Sequence, residues 1–551
     1  MPVSVCHVDP RSKTPLECEG WRGRSAASRP LLSVRSPTIH KGMPLTTGAS
    51  QDNHVRPHGP HGDGESPREA CGIIGAYLPG EQVANTTFFG LFALQHRGQE
   101  SAGIASTDGG RLHLRADMGL VTQVFKPDDL AALPGHAAIG HTRYSTMGSS
   151  KRSNAQPLIV RGPRGELALG HNGNVINARE LREELVRDWG SVFTGSTDSE
   201  VIAELYATAP GETWEERSAY CMRKLRGAYS LVMLTRGELV GVRDPLGVRP
   251  LCIGRLNSGW VIASESCALD QIGAQFKREL APGETVVVNA DGLSSSVWQG
   301  ARATHAMCVF EHIYFARPDS VLGGKLAYNT RMSMGAELWR QHPVAADMVI
   351  GVPDSSIAAA VGFAQASGIP YGDGLVKNRY VGRTFIQPDQ RMRELGVKLK
   401  YNALPGVLKG KRVVVVDDSI VRGTTTPWVL KLIRDAGASE VHMRVCAPPI
   451  IAPCHFGVDM GTLGQLIASH KSVEEIRQFI NADTLAFLDV PSLMKAVGVN
   501  DGGYCRGCFT GKYPIPVQLE MDKLQLEPPG RHAANGKSHE TSEALAPSLG
   551  N

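Results

Sequence analysis

Long apolar runs are missing from this 551-residue chain. With no stretch of about 18 consecutive apolar residues, the sequence offers no membrane-spanning helix. An excess of one charge is missing too. The 58 Lys and Arg stand against 54 Asp and Glu, and a net +4 gives no electrostatic footing for nucleic-acid or membrane binding. The basic N-terminus is not followed by the apolar segment of a secretory signal, so the expected compartment is the cytoplasm. Thiols stay reduced there, and the 11 cysteines are therefore not read as a disulfide framework. Metal binding, catalysis or plain burial must account for them. No internal repeat is evident. What is present is an ordinary globular composition, 42% hydrophobic and 20% charged, over a length that suggests roughly two to four domains.

Pro, Arg, Ser, Gly and His dominate residues 1–70, where "DNHVRPHGPHGDGESPRE" holds too little apolar surface to offset the entropy of ordering. The segment reads as a disordered leader with solvated histidines, and Met43 is a second candidate start. Residues 516–551 read as a C-terminal tail. From 71 to 300 short apolar strands dominate, among them "CGIIGAY", "ELALGHNGNV" and "ETVVVNADG", with helical stretches such as "DSEVIAELYATA" between them. From 301 to 515 the rhythm changes to strand followed by helix, clearest in "ADMVIGVPDSSIAAAVGFAQASG" and "KRVVVVDDSIVRGTTTPWVLKLIRDAG". An α/β chain is expected, strand-rich first and then built on a parallel sheet.

In the last of these strings the valines 413–416 form a buried strand, and ligands of such folds gather at strand carboxyl ends, where Asp417 and Asp418 lie. Gly423 permits a tight turn, and Thr424–Thr426 precede a helix with Pro427 in its first turn. Amides and hydroxyls at that helix start make an anion pocket. Carboxylates beside it make sense if they hold sugar hydroxyls or a Mg²⁺ that bridges to phosphate. "GVPDSS" ends another strand and offers Ser355 as a further hydroxyl ligand; "KNRYVGRTFIQ" sets Lys377, Arg379 and Arg383 in an expected loop able to close over a diphosphate. Alone, that loop reads as a basic surface; beside the other two stretches it reads as part of the site. The "VVVVDDSIVRGTT" string resembles the phosphoribosyl-pyrophosphate (PRPP) signature of type I phosphoribosyltransferases, which implies PRPP contacts from Asp417, Asp418, Ser419, Arg422, Gly423, Thr424 and Thr425.

Cys71 stands where the leader gives way to the folded chain. A cysteine thiol ionises near pH 8.5, and a terminal amine near about 7.7–8.0. If cleavage after Ala70 made Cys71 the first residue, its own α-amine could take the thiol proton and later protonate a leaving ammonia. "GHNGNV" offers the Asn172 amide and the Gly173 N–H as an oxyanion hole. "GHTRYST" supplies Arg143 for a substrate carboxylate. "STDSE" reads as a helix start, with Thr197 as cap and Glu200 as its capping-box partner, leaving Asp198 for a substrate ammonium.

"CGIIG", "LQHRGQESAGIA", "GHTRYST", "GHNGNV", "TDSE" and "RDPLGVRPL" together resemble the class II, N-terminal-nucleophile glutamine amidotransferases. The resemblance implies an αββα glutaminase domain over 71–300, followed by a type I phosphoribosyltransferase domain with a parallel sheet over 301–515. Both together imply an enzyme that uses glutamine to aminate PRPP, at the entry to de novo purine synthesis. They also imply purine-nucleotide feedback inhibitors, a homo-oligomer (dimer or tetramer), and one Mg²⁺ per subunit on Ser355, Asp417 and Asp418. Other class II amidotransferases lack the PRPP string, and a non-catalytic PRPP-binding regulator leaves the glutaminase motifs unexplained.

"CRGC" at 505–508 fits zinc, redox chemistry or an iron–sulfur cluster. Resemblance to the leader-processed, cluster-containing subgroup implies one 4Fe–4S cluster per subunit on Cys308, Cys454, Cys505 and Cys508, with Cys308 just before a "YIYF"-like strand. Cys221, Cys252, Cys267 and Cys446 are expected to be small core residues.

Overall fold

In the strand Gly72–Tyr77 successive side chains serve two different cores, and that alternation explains the first half of the molecule. Ile73 and Tyr77 face one core, Ile74 and Ala76 the other. The structure, a computed structural model, describes residues 71–145, 147–300, 305–378, 399–499, 502–517 and 526–527; the leader, Arg379 and Arg383 lie outside the described residues.

The strand is central in a seven-stranded antiparallel sheet ordered Gln275–Glu279, Cys252–Leu256, Gly259–Ala263, Gly72–Tyr77, Ala137–Arg143, Ser101–Thr107, Leu112–Met118. A second antiparallel sheet has six strands, ordered Gly292–Val297, Glu284–Asn289, Leu239–Arg243, Gly227–Leu234, Gly165–Val175, Leu158–Gly162. Ile73, Ile139 and Ile262 of the first meet Ala168, Val232 and Val286 of the second in one core between the sheets. On the outer face of the first sheet lies the helix Val83–Ala93. The outer face of the second is covered by the helices Ala178–Trp189, Asp198–Thr208 and Trp214–Lys224. Four layers result, helix–sheet–sheet–helix.

The second half is built on a parallel sheet ordered Met348–Gly351, Arg412–Asp417, Glu440–Val445, Thr484–Phe487. The valines 413–416 are fully buried, as a strand covered on both faces requires. Met334 and Phe363, from the helices Ala327–Gln341 and Ile357–Ser367, join one of its cores; Val429 and Ile476, from Thr426–Asp435 and Val473–Ile480, join another. The expected "YIYF"-like strand is not one. Strand Ala306–Cys308 ends before it, and Glu311–Phe315 forms a wide helical turn that buries Phe315 and Glu311 together.

The two halves share interior. Ala228, Leu246 and Val248 belong to the same core as Val309, Phe310 and Phe456. A chain of buried charges crosses there. Arg97 bridges Glu265 and Glu311, and Arg249 reaches Glu311 at 3.2 Å. Arg249 also donates through Nε and Nη2 to the Phe456 carbonyl at 3.1 and 2.8 Å. Burial opposes both ionised forms, but mutual attraction wins: Arg97 is raised and Glu265 is held well below the usual carboxylate range. No helix among the described residues is long and apolar enough to cross a membrane.

Candidate functional site

Period-two alternation aims the key side chains of the first site. Cys71 has the parity of Ile73, and Asn172 the parity of Ala168, so both project into the space between the sheets near one end of the sandwich. Cys71 is buried; its thiol donates to the Tyr144 carbonyl at 3.3 Å, and the Tyr144 N–H points back to the sulfur at 3.4 Å. Burial pushes the thiol up to about 11, partly offset by the Tyr144 N–H and by Arg143. At neutral pH this sulfur holds its proton unless a base removes it.

The Asn172 side chain is fully buried, and neither end of its amide has a hydrogen-bond partner among the described residues. Such a group calls for a partner that the described residues do not supply. Next to it Gly173 has φ +151°, and a Cβ there would stand 2.0 Å from the Ala228 carbonyl oxygen, so only glycine fits. The following residues reach the other half: Asn174 Nδ2 donates to the His455 carbonyl at 2.9 Å, and Gly457 packs against the Gly173 backbone with no room for a Cβ.

Arg143 is buried beside Glu100 at 3.7 Å and donates to the carbonyls of Met147 and Ser149. Glu100 in turn accepts from Ser145 and Ser150, fixing the segment after Arg143. Asp198 opens its helix and accepts from the Val175 N–H at 2.9 Å; Arg143, Glu100 and Asp198 all act electrostatically on Cys71. Thr197 caps the helix as expected, accepting from Glu200 N at 3.3 Å. The capping box does not form, because the Glu200 carboxylate turns back to Thr194 and Gly195. Sequence reasoning missed His141. It spans the sheets, donating from Nε2 to the His171 carbonyl at 3.0 Å, and burial brings its pKa down to about 3.

At the second site the strand ends Met348–Gly351 and Arg412–Asp417 converge. Ser355 Oγ donates to Asp418 at 2.5 Å, Ser356 Oγ to Asp417 at 2.9 Å, and Ser419 Oγ to Asp418 at 2.6 Å. Burial raises the Asp418 carboxyl, against which Ser355, Ser419 and Arg331 act. Gly423 takes φ +69°, and the helix begins at Thr426, one residue before Pro427, with Thr425 as its N-cap. Thr424 Oγ1 is buried without a partner among the described residues. Arg422 reaches Gln465 at 3.1 Å. Lys377 is not in an irregular loop: it ends the strand Leu375–Lys377, paired with Tyr401–Ala403, and its ammonium meets Asp354 at 2.5 Å.

The four cysteines of the expected cluster lie near one another. Cys308 and Cys505 are register partners in a short parallel pair, and the Cys508 carbonyl accepts from Ile451 and Ala452, drawing in the segment that carries Cys454. Burial raises the Cys508 thiol, with Cys505, Cys454 and Cys308 adding to the rise. Arg249 feels Cys308 and Cys454. Four soft donors beside a guanidinium fit an anionic thiolate-bound group. Among the described residues no group of three or more His, Cys, Asp or Glu is placed to hold a metal ion. Cys221, Cys252, Cys267 and Cys446 are buried core residues.

Residues 141–271 match a glutamine amidotransferase domain family. Over 471 residues the chain is 50% identical to an amidophosphoribosyltransferase of Synechococcus elongatus, covering 84% of this chain and 95% of that one. It is 48% identical to one from Archaeoglobus fulgidus over 455 residues, 82% of this chain and 99% of that one. A solved glutamine PRPP amidotransferase from B. subtilis, complexed with ADP and GMP, superposes with TM-score 0.77 at 45% identity, over 83% of this chain and 100% of that one.

Proposed function

This chain belongs to the amidophosphoribosyltransferase family, and from that premise we propose how its two sites divide the reaction. Its activity is the glutamine-dependent amination of PRPP to 5-phosphoribosylamine, with release of glutamate and diphosphate, the first step of de novo purine biosynthesis. Its fold is a glutamine-amidotransferase domain of the N-terminal-nucleophile type joined to a phosphoribosyltransferase domain.

In this reading Cys71 Sγ attacks the side-chain amide carbon of glutamine. Arg143 holds the substrate's α-carboxylate and Asp198 its α-ammonium, while Asn172 and Gly173 stabilise the oxyanion. A thiol raised to about 11 needs a base nearby, and the α-amine exposed by cleavage after Ala70 is that base. It takes the thiol proton and returns it to the leaving nitrogen; water then hydrolyses the thioester. The released ammonia passes within the protein to the second site and displaces diphosphate from C1 of PRPP. Asp417, Asp418, Ser419, Arg422, Gly423, Thr424 and Thr425 bind PRPP, and Lys377, Arg379 and Arg383 stabilise the departing diphosphate. Ser355, Asp417 and Asp418 would hold one Mg²⁺ per subunit, which supplies charge neutralisation to the leaving group.

Cys308, Cys454, Cys505 and Cys508 would hold one 4Fe–4S cluster per subunit, with a structural or oxygen-sensing role. The convergence of these thiols, two of them register partners, with the Arg249 guanidinium acting on Cys308 and Cys454, supports that reading. The B. subtilis relative's ADP and GMP support purine-nucleotide feedback, and a cytoplasmic homo-oligomer is the expected setting.

The observation that carries the reading is a buried cysteine on which Arg143 and Asp198 act, with Asp198 tied through Val175 to the strand that holds the Asn172 amide, unpartnered among the described residues. Cys71→Ala should abolish glutamine-dependent synthesis and retain ammonia-dependent synthesis. Equal loss of both rejects the two-site scheme. N-terminal sequencing and iron analysis of the active, anaerobically purified protein test the processing and the cluster; active protein still carrying peptide before Cys71 rejects the α-amine as base.

A further inference from the structure

Leu526 and Glu527 fall in the stretch expected to be tail, yet both are built into the first half of the molecule. Leu526 is buried in the core formed by the second sheet and its helices, and its carbonyl accepts from Arg182 at 3.4 Å. The Glu527 carboxylate gathers four donors. Ser149 N at 3.2 Å, Ser149 Oγ at 2.7 Å and Ser196 Oγ at 2.7 Å reach Oε1, and Lys151 Nζ reaches Oε2 at 3.1 Å. Burial opposes its ionisation, but Ser149, Ser196 and Lys151 together bring the carboxyl down to about 2.

These donors belong to the two segments that present the glutamine-recognition groups. Ser149 and Met147 lend their carbonyls to the Arg143 guanidinium, and Ser196 lies just ahead of Asp198. Asn154 already ties the segments, donating to the Ser149 carbonyl at 2.8 Å and accepting from Ser196 N at 3.1 Å. From inside the domain Glu100 grips Ser145 and Ser150. A carboxylate 378 residues away in sequence from Ser149 closes the other side.

We propose that Glu527 is a positioning residue for glutamine: one charged group from the end of the chain clamps the segment after Arg143 to the turn before Asp198. Both substrate-binding side chains are then held in register before substrate arrives, so less ordering is left to glutamine binding. The clamp touches no reacting atom and acts only through Arg143 and Asp198. It therefore rests on their assignment to glutamine.

The test uses the full-length processed enzyme. Glu527→Ala should raise KM for glutamine about tenfold, keep kcat for glutamine within about twofold, and leave ammonia-dependent synthesis and KM for PRPP unchanged. Glu527→Gln, which keeps an acceptor oxygen but loses the charge opposite Lys151, should fall between. Amide exchange at Ser149 should quicken in Glu527→Ala while the Gly165–Val175 strand stays protected. An unchanged KM for glutamine, or equal loss of glutamine- and ammonia-dependent activity, overturns the proposal. Arg143→Ala run in parallel separates the premises: if it too leaves KM unchanged, the glutamine-site assignment fails, not the clamp alone.

Discussion

A side-chain amide buried with neither end bonded costs roughly 1–3 kcal/mol, so Asn172 needs a reason to stay where it is. An oxyanion that exists only during reaction supplies one. Asn172→Ala should lower kcat for glutamine hydrolysis by about 10²–10³ with little change in KM, while the ammonia-dependent reaction keeps its rate. Steady-state kinetics on both nitrogen donors check this; a rise in KM alone assigns the amide to ground-state binding instead. At this scale much was legible. Cys71, Asn172, Arg143 and Asp198 stand out in sequence because Asn-Gly, Thr-Asp and a cysteine on a boundary are chemically conspicuous. Glu100, His141 and Glu527 were not, since an acid or a histidine acquires meaning only from the tertiary partners that surround it. Glu527 lies in a stretch with no periodicity to flag it.

Among elements, the strand Arg412–Asp417 shows how packing creates a site. Four buried valines fix the strand in the sheet interior, and the chain leaves it carrying two carboxylates opposite the serines of the neighbouring strand end. Asp418→Asn should raise KM for PRPP by about tenfold or more with either glutamine or ammonia as donor, because both share this substrate. Unchanged PRPP kinetics remove Asp418 from the site. The strands and the βα units could be read from apolar runs and helix starts. Glu311–Phe315 could not. Its isoleucine, tyrosine and phenylalanine carry strand propensity, but the buried ion chain needs Glu311 turned inward toward Arg97 and Arg249. A tertiary demand overrode a local preference there, whereas the capping box of Glu200 gave way to a local competitor, the N–H groups of Thr194 and Gly195 just upstream.

Across the whole molecule, buried titrating groups set how stability answers to pH. His141 and His312 are driven by burial to about 3 and about 4, from 6.5. Unfolded, they take protons below 6.5; folded, they do not until the lower values, so each withdraws up to about 1.4 kcal/mol per pH unit as pH falls through that window. Asp244 runs the other way. Burial lifts it from 3.8 to about 6, so the folded carboxyl gains its proton first and adds stability below about 6. The depressed histidines, joined by His171, His342, His442 and His455, outnumber the raised carboxyls of Asp244, Glu204, Asp270 and Asp418, so denaturant midpoints at pH 8, 6.5 and 5 should decline in that order; a flat series contradicts it. The contact of Gly457 and His455 with Gly173 and Asn174 carries a consequence for biosynthesis on the ribosome. A nascent chain that has emerged only through its first 300 residues has the strands Gly72–Tyr77 and Gly165–Val175 but lacks the backbone that packs against Gly173 and Asn174. If Asn172 and Gly173 hold the oxyanion as proposed, glutamine hydrolysis would wait until residues 455–457 had been made and packed in place.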